Sequence, residues 1–236
     1  AGTIPVQWRR ATIVPVLKPG HSPALTESYR PISLPSIVGK VAEKMALRRL
    51  LWLWTPRPHQ YACRSMHTTT MQLAHLIHEV EHNRNDYFQV NLPKKSGVGS
   101  QLHCRPYGAP LVLIDSSKAF EFIDHRVLSR LPANIPGVNC RRWLRNFLRG
   151  RYAKTRVGNR HSDRSSTLRG VPQGSVLGPY LFSLYAHPPL NLLNGFSDVT
   201  ADMHADDLSI VINGHSREDT IPAANTVLKK LHARGQ

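Results

Sequence analysis

Apolar residues recur at helical spacing in two early stretches of the chain. Val38, Val41, Ala42 and Met45 predict a helix from about Ser36 to Leu53, closed at Thr55-Pro56. Leu73, Leu76, Ile77 and Val80 predict a second, from about Met66 to His82. Before them, "ATIVPVLKPG" (Ala11 to Gly20) reads as a short strand stopped by Pro19-Gly20. Periodicity then collapses from Asn83 to Pro110, a stretch rich in Gly, Pro, Ser and Lys that reads as a long loop or insertion. "LVLID", ending at Asp115, is a continuous apolar run of the kind found in strands buried on both faces. Helices are expected over Lys118 to Leu131, Asn139 to Arg149 and Tyr180 to Leu193, with strand-like "AKTRVG" and "SSTLRG" between the last two. In "ADMHADDLSIVING" (Ala201 to Gly214) a strand turns back on itself at Asp206-Asp207. Strands mixed irregularly with helices argue an α+β fold.

Composition changes this picture in one respect. The chain has 236 residues, 41% of them apolar, which is ordinary for a globular protein with a real core. No apolar run approaches the roughly 18 residues a membrane helix needs. Three cysteines (Cys63, Cys104, Cys140), widely spaced, give neither a disulfide framework nor a cysteine zinc site and suggest a reducing compartment. The charge is the exception: 31 Lys plus Arg against 15 Asp plus Glu, a formal net of +16. That excess favours a polyanion, nucleic acid before membrane, because counterion release rewards each phosphate neutralised. With no Met at its start and a charged helical pattern at its end, the sequence reads as a segment of a longer polypeptide.

In so basic a chain, two adjacent carboxylates between apolar residues need a reason, since like charges repel and burial makes the repulsion costlier. Asp115 ends one apolar strand, and Asp206-Asp207 lies where another reverses. If the strands are neighbours, three hard oxygen donors converge, a set suited to Mg²⁺ or Mn²⁺. Two such ions, about 3.5–4 Å apart, serve phosphoryl transfer by clamping the attacking and leaving oxygens. A plain polar hairpin turn is the competing reading of the same pair.

Four ordered motifs, "SYRPISLPSIVGKVAEK", "DSSKAFEFIDH", "GVPQGSVLGPYLF" and "HADD", resemble the reverse transcriptases of non-LTR retrotransposons, a likeness running from "WRRATIVPVLKPG" to the final helix. The resemblance implies a right-hand polymerase fold: fingers over about 1–108, palm over about 109–236 with a central antiparallel sheet carrying the aspartates, and no thumb. It implies that Asp115 and Asp206 hold the catalytic metals, two Mg²⁺ or Mn²⁺ ions, with Asp207 contributing less directly. Phe120 resembles the steric gate that crowds a ribose 2′-OH, although a core position at a helix start is a real competitor. Gln173 and Gly174 resemble the segment beneath the incoming nucleotide, where Gly admits close backbone approach. Lys18 and Arg30 fall where fingers residues grip the triphosphate, offsetting phosphate charge.

Departures from the family pattern are His204 where Tyr or Phe is usual, Glu121 after "KAF", Gly178 in place of Ser, and the long Asn83–Pro110 stretch. His204 is expected to pack on the primer. Arg141, Arg142, Arg145, Arg149, Arg151 and Lys154, interleaved with Trp143, Phe147 and Tyr152, suit template–primer phosphates. The same pattern reads as an amphipathic helix with Trp143, Leu144, Phe147 and Leu148 inside, and the two readings are compatible. His75, His78 and His82 lie opposite the Leu73/Leu76/Ile77/Val80 stripe and read as solvent-facing, with too few ligands for zinc. The expected function is RNA-templated DNA synthesis within a retrotransposon polyprotein, with an RNA template, a DNA primer and dNTPs as partners and no membrane. Chromosomal priming makes the nucleus the expected location. The rival from another class is a basic, inactive nucleic-acid-binding remnant.

Overall fold

The computed structural model describes residues 3–54, 58–62, 64–90, 110–115, 119–130, 138–213 and 217–235. The chain divides into two compact units, each discontinuous in sequence: Ala1–Pro56 with Ser117–Tyr185, and Arg57–Ser116 with Ala186–Gln236.

In the first unit, strands β1 (Arg10–Leu17) and β2 (Tyr29–Pro35) form an antiparallel pair with Leu17 opposite Tyr29. Strand β4 (Arg151–Val157) runs parallel to β1 and pairs with β5 (Arg160–His161) and β6 (Ser165–Thr167), completing a five-stranded sheet. Helix α1 (Ile37–Leu53) starts where Ser36 Oγ accepts the Gly39 N–H, a side-chain N-cap. Its sequence stripe does not face the core. Val38, Val41 and Met45 are exposed, and the buried positions are Gly39, Glu43 and Leu50, a face rotated around the helix.

The single helix expected over 118–131 is two, α3 (Ala119–Phe122) and α4 (His125–Arg130). The break has a local cause. Asp124 Oδ1 accepts the Arg126 N–H at 2.7 Å and caps a new helix, while the Phe120 and Ile123 carbonyls accept the N–H groups of Val171 and Gly170. Helix α5 (Val138–Leu148) buries Leu144, Phe147 and Leu148, as its amphipathic pattern predicts.

The second unit holds an antiparallel sheet in the order β3-β8-β7: β3 (Leu111–Asp115), β8 (Asp207–Ile212) and β7 (Val199–His204). Helix α2 (Thr69–Val90) starts three residues later than expected, because Met66 has φ +63° and Thr68 Oγ1 caps the Met71 N–H. It also runs on through Val90, so the expected loop does not begin at Asn83; residues 91–109 of that stretch lie outside the described residues. Its buried face is Gln72 and Leu76 flanked by half-buried His75, Glu79 and Val80, while Leu73 and Ile77 are exposed. His75 therefore points inward, not to solvent.

Helix α6 (Gly178–Leu193) begins in the first unit and ends in the second; α7 (Arg217–Gly235) belongs to the second. One face of the β3-β8-β7 sheet packs Ala201, Leu208, Ile210 and Ile212 with Leu190, Leu193 and Val227 of these helices, and Val112 and Ile114 join from β3. Alternation then turns Leu111 and Leu113 the other way, where they are 45% and 70% exposed. The "LVLID" strand is accordingly a sheet edge buried on one face, not both.

Candidate active site

Strand register assembles the acidic group. Asp115, last residue of β3, stands directly opposite Asp207, first residue of β8, and Asp207 in turn pairs with His204. Only Ala205 and Asp206 bridge β7 and β8, and Ala205 has φ +54°. Two-residue hairpin loops favour positive φ because it matches strand twist, but Ala has no intrinsic preference for it. Asp115 and Asp207 are exposed and Asp206 half-buried, so three carboxylates share one end of this sheet. The condition set by the sequence, that the two strands be neighbours, is met. Carboxylate oxygens are hard donors of the kind that magnesium-type cations take. His204 is half-buried, and its Nδ1 is buried without a hydrogen-bond partner among the described residues.

The first unit carries the other expected residues. Lys18 N–H donates to the Ser28 carbonyl at 2.8 Å, extending the β1–β2 register by one pair, and Arg30 stands opposite Val16. That register puts Lys18 and Arg30 on one face of the hairpin, Arg30 exposed and Lys18 half-buried. Phe120 is half-buried and stacks on Phe182, ring centroids 4.5 Å apart.

The Gln173 carbonyl accepts the Ser33 N–H at 2.7 Å. Gly174 has φ +113°, and a Cβ there would stand 2.6 Å from the Ser33 carbonyl oxygen. The close approach that glycine permits here is thus to the backbone of β2. Beneath this loop lies a residue that the sequence motifs do not single out. Glu43 is 3% exposed, and its Oε2 accepts the N–H groups of Val176 and Leu177 at 2.7 and 3.2 Å, just before α6 begins. Burial pushes its carboxyl above the ordinary value, against those hydrogen bonds and the charges of Arg151 and Lys40. The signal was present as an acidic residue in "KVAEK" on the helix face opposite the apolar stripe.

On α5, Arg142, Arg145 and Arg149 are exposed and Arg141 half-buried; Arg145 also donates to the Ser129 carbonyl at 3.2 Å. Together with Val138 and Asn146 they line one concave surface. Arg151 departs from the expected phosphate-facing set. It is 3% exposed, donates to the Phe147 carbonyl at 3.0 Å and lies over the Phe147 ring, and burial lowers its pKa. Its place is the interior of the unit, because the strand alternation of β4 turns it inward.

An acidic hairpin beside an acidic strand end, in a sheet backed by helices, is an arrangement that a polymerase can use, and comparison with known proteins points to that class. The family model "Reverse transcriptase (RNA-dependent DNA polymerase)" matches residues 16–236, and the chain belongs to that family. It is 33% identical over 190 residues to a probable RNA-directed DNA polymerase from transposon BS of Drosophila melanogaster, covering 77% of this chain and 18% of that protein. It is 28% identical over 225 residues to the RNA-directed DNA polymerase from mobile element jockey of the same organism, covering 91% and 22%. The chain thus spans about a fifth of the length of these curated relatives. The resemblance to non-LTR retrotransposon reverse transcriptases read from the motifs is borne out.

Among solved structures, apo telomerase of Candida tropicalis truncated from its C-terminal domain matches with TM-score 0.58 at 11% identity, over 94% of this chain and 47% of that one. Telomerase of Candida albicans in complex with a TWJ fragment of telomeric RNA matches with TM-score 0.57 at 11% identity, over 98% and 41%. Such likeness establishes the fold, the right hand of polymerases.

Proposed function

We propose that this chain carries out RNA-templated DNA synthesis as part of a retrotransposon polyprotein. One observation carries the reading: the register that sets Asp115 opposite Asp207 with Asp206 in the adjoining two-residue loop. In the reaction a primer 3′-OH attacks the α-phosphorus of a dNTP, a new P–O bond forms, and the bond to pyrophosphate breaks. The chain needs no covalent nucleophile for this; positioning and electrostatics suffice. Asp115 and Asp206 would hold two Mg²⁺ or Mn²⁺ ions, with Asp207 beside them. When bound, these ions supply positive charge where the attacking and leaving oxygens develop negative charge.

The remaining roles follow the family motif. Lys18 and Arg30, two cations on one hairpin face, would take the triphosphate. Phe120, held flat by Phe182, would exclude a 2′-OH, and Gln173-Gly174 would support the nucleotide. Arg141, Arg142, Arg145 and Arg149 would meet template–primer phosphates, and His204 the primer end. Among the described residues no helix is long and apolar enough to cross a membrane. Priming on chromosomal DNA would put the reaction in the nucleus.

Primer extension on an RNA template, with dNTPs and Mg²⁺ or Mn²⁺, tests the proposal. The parent chain is expected to extend the primer and Asp206→Asn to abolish extension. Equal extension by both would remove the carboxylates from the mechanism.

A further inference from the structure

A second constellation of ligand-type side chains lies in the same unit as the acidic hairpin, built from three elements. Asp202 of β7 has a side chain that is 0% exposed, and both its oxygens face imidazoles. His59 Nδ1 is 2.9 Å from Oδ1, and His75 Nδ1, from α2, is 2.6 Å from Oδ2. One ligand atom from each residue lies within 4.8 Å of the others. The backbone fixes this arrangement: Met203 N–H donates to the His59 carbonyl at 2.8 Å and Tyr61 N–H to the Met203 carbonyl at 2.9 Å, pinning the 58–62 segment alongside β7. Farther up β7, Thr200 Oγ1 donates to Glu79 Oε2 at 2.9 Å, tying α2 to the same strand face.

We propose that His59, His75 and Asp202 form a binding site for a divalent transition metal of the zinc type, separate from the cations of nucleotidyl transfer.

Three physical points favour this reading. Two imidazole nitrogens and one carboxylate make a borderline donor set, suited to Zn²⁺ or Co²⁺ and poorly suited to Mg²⁺, which takes oxygen. Ligands about 2.1 Å from a tetrahedral ion stand about 3.4 Å apart, so these atoms need only small shifts to close around one. The third point is the placing of His75 between two carboxylates. Its Nδ1 faces Asp202 while its Nε2 lies 3.6 Å from Glu79 Oε1, so two carboxylates approach opposite ends of one ring. A protonated ring would donate to both carboxylates, and a metal on Nδ1 would stand in for one of those protons. With a metal on Nδ1, the N–H sits on Nε2 and points at Glu79, the carboxylate–histidine–metal relation that orients ligands in known sites.

Solvent completes the shell, since His59 and His75 side chains are 34% and 29% exposed. Asp202 lies within β7 opposite Ser209, whereas Asp206 belongs to the loop beyond the end of that strand.

Co²⁺ titration of the 236-residue chain, read by visible d–d absorption and followed by Zn²⁺ competition, tests the site. One equivalent of Co²⁺ is expected to give an intense low-coordination spectrum that Zn²⁺ displaces and millimolar Mg²⁺ does not. His59→Gln and His75→Gln, both at partly exposed positions, should lose that spectrum while keeping the parent far-UV circular dichroism. Glu79→Gln should weaken binding about 10- to 100-fold without abolishing it. Asp206→Asn should leave the spectrum intact, whatever it does to primer extension. Absence of the spectrum in the parent at several-fold excess Co²⁺ would overturn the proposal and leave Asp202 a buried carboxylate closed by two imidazole donors. So would an unchanged spectrum in His59→Gln, or its loss in Asp206→Asn.

Discussion

Gly174 shows how a single residue ties a motif to its scaffold. Its φ is +113°, and a Cβ at this position would lie 2.6 Å from the Ser33 carbonyl oxygen, which leaves no room for any side chain. Gly174→Ala is therefore expected to cost about 2–4 kcal/mol, through backbone strain and loss of the Ser33-to-Gln173 hydrogen bond. The readout is favourable, because all four tryptophans (Trp8, Trp52, Trp54 and Trp143) belong to the first unit, so denaturant unfolding followed by their fluorescence reports the unit that holds Gly174. Unchanged stability would mean that the loop is free to leave β2. The sequence made this glycine visible within "VPQG" but not the atom it approaches, since contact with Ser33 depends on a β-strand about 140 residues earlier. His75 is the opposite case. Its spacing on α2 was legible, yet its partners His59 and Asp202 are 16 and 127 residues away in the chain and share no local pattern with it.

Among the elements, α1 shows what hydrophobic periodicity does and does not say. The stripe of Val38, Val41 and Met45 correctly announces a helix, because a 3.6-residue repeat has no other local explanation. It does not announce the buried face, which is decided by what packs there: Leu50 at 1% exposure, Gly39 against Trp8, and Glu43 beneath the start of α6. Leu50→Ala should cost about 2–5 kcal/mol, whereas Met45→Gln on the 70% exposed face should change stability by less than about 0.5 kcal/mol. Tryptophan-monitored unfolding separates the two, and equal losses would mean that the apolar stripe is covered.

Glu43 adds a pH signature at the same element junction. Its folded carboxyl holds a proton more tightly than the unfolded one, so its contribution is fully present below about pH 4.5 and is lost as pH rises through the raised folded value. Glu43→Gln keeps an acceptor for Val176 and Leu177 and removes the titration. The parent should therefore lose stability relative to Glu43→Gln as pH rises from about 4.5 through the raised folded value. Glu43→Ala should be less stable than either throughout, by about 3 kcal/mol at neutral pH, because it leaves the Val176 and Leu177 N–H groups without their acceptor. Parallel pH profiles for parent and Gln variant would place the charge of Glu43 in water.

For the whole molecule, the net charge of +16 bears on association rather than on fold. It would favour association with a polyanion such as nucleic acid, and burial decides which of the cations face solvent to contribute. Arg151, expected among the phosphate-facing residues, is inside, whereas Arg142 and Arg149 stand exposed on α5 with Leu144, Phe147 and Leu148 turned to the core. Counterion release makes the test quantitative: each phosphate contact contributes about 0.9 to the slope of log affinity against log salt. Arg142→Gln together with Arg149→Gln should flatten that slope by about 1.8 and weaken binding of an RNA–DNA duplex most at low salt, measured by fluorescence anisotropy across a salt series. Arg151→Gln should behave differently, lowering the stability of the first unit without a comparable change in slope, since its guanidinium is committed to the Phe147 carbonyl and ring. A slope that falls for Arg151→Gln and not for the α5 pair would move the nucleic-acid face off this helix and onto the sheet beside it.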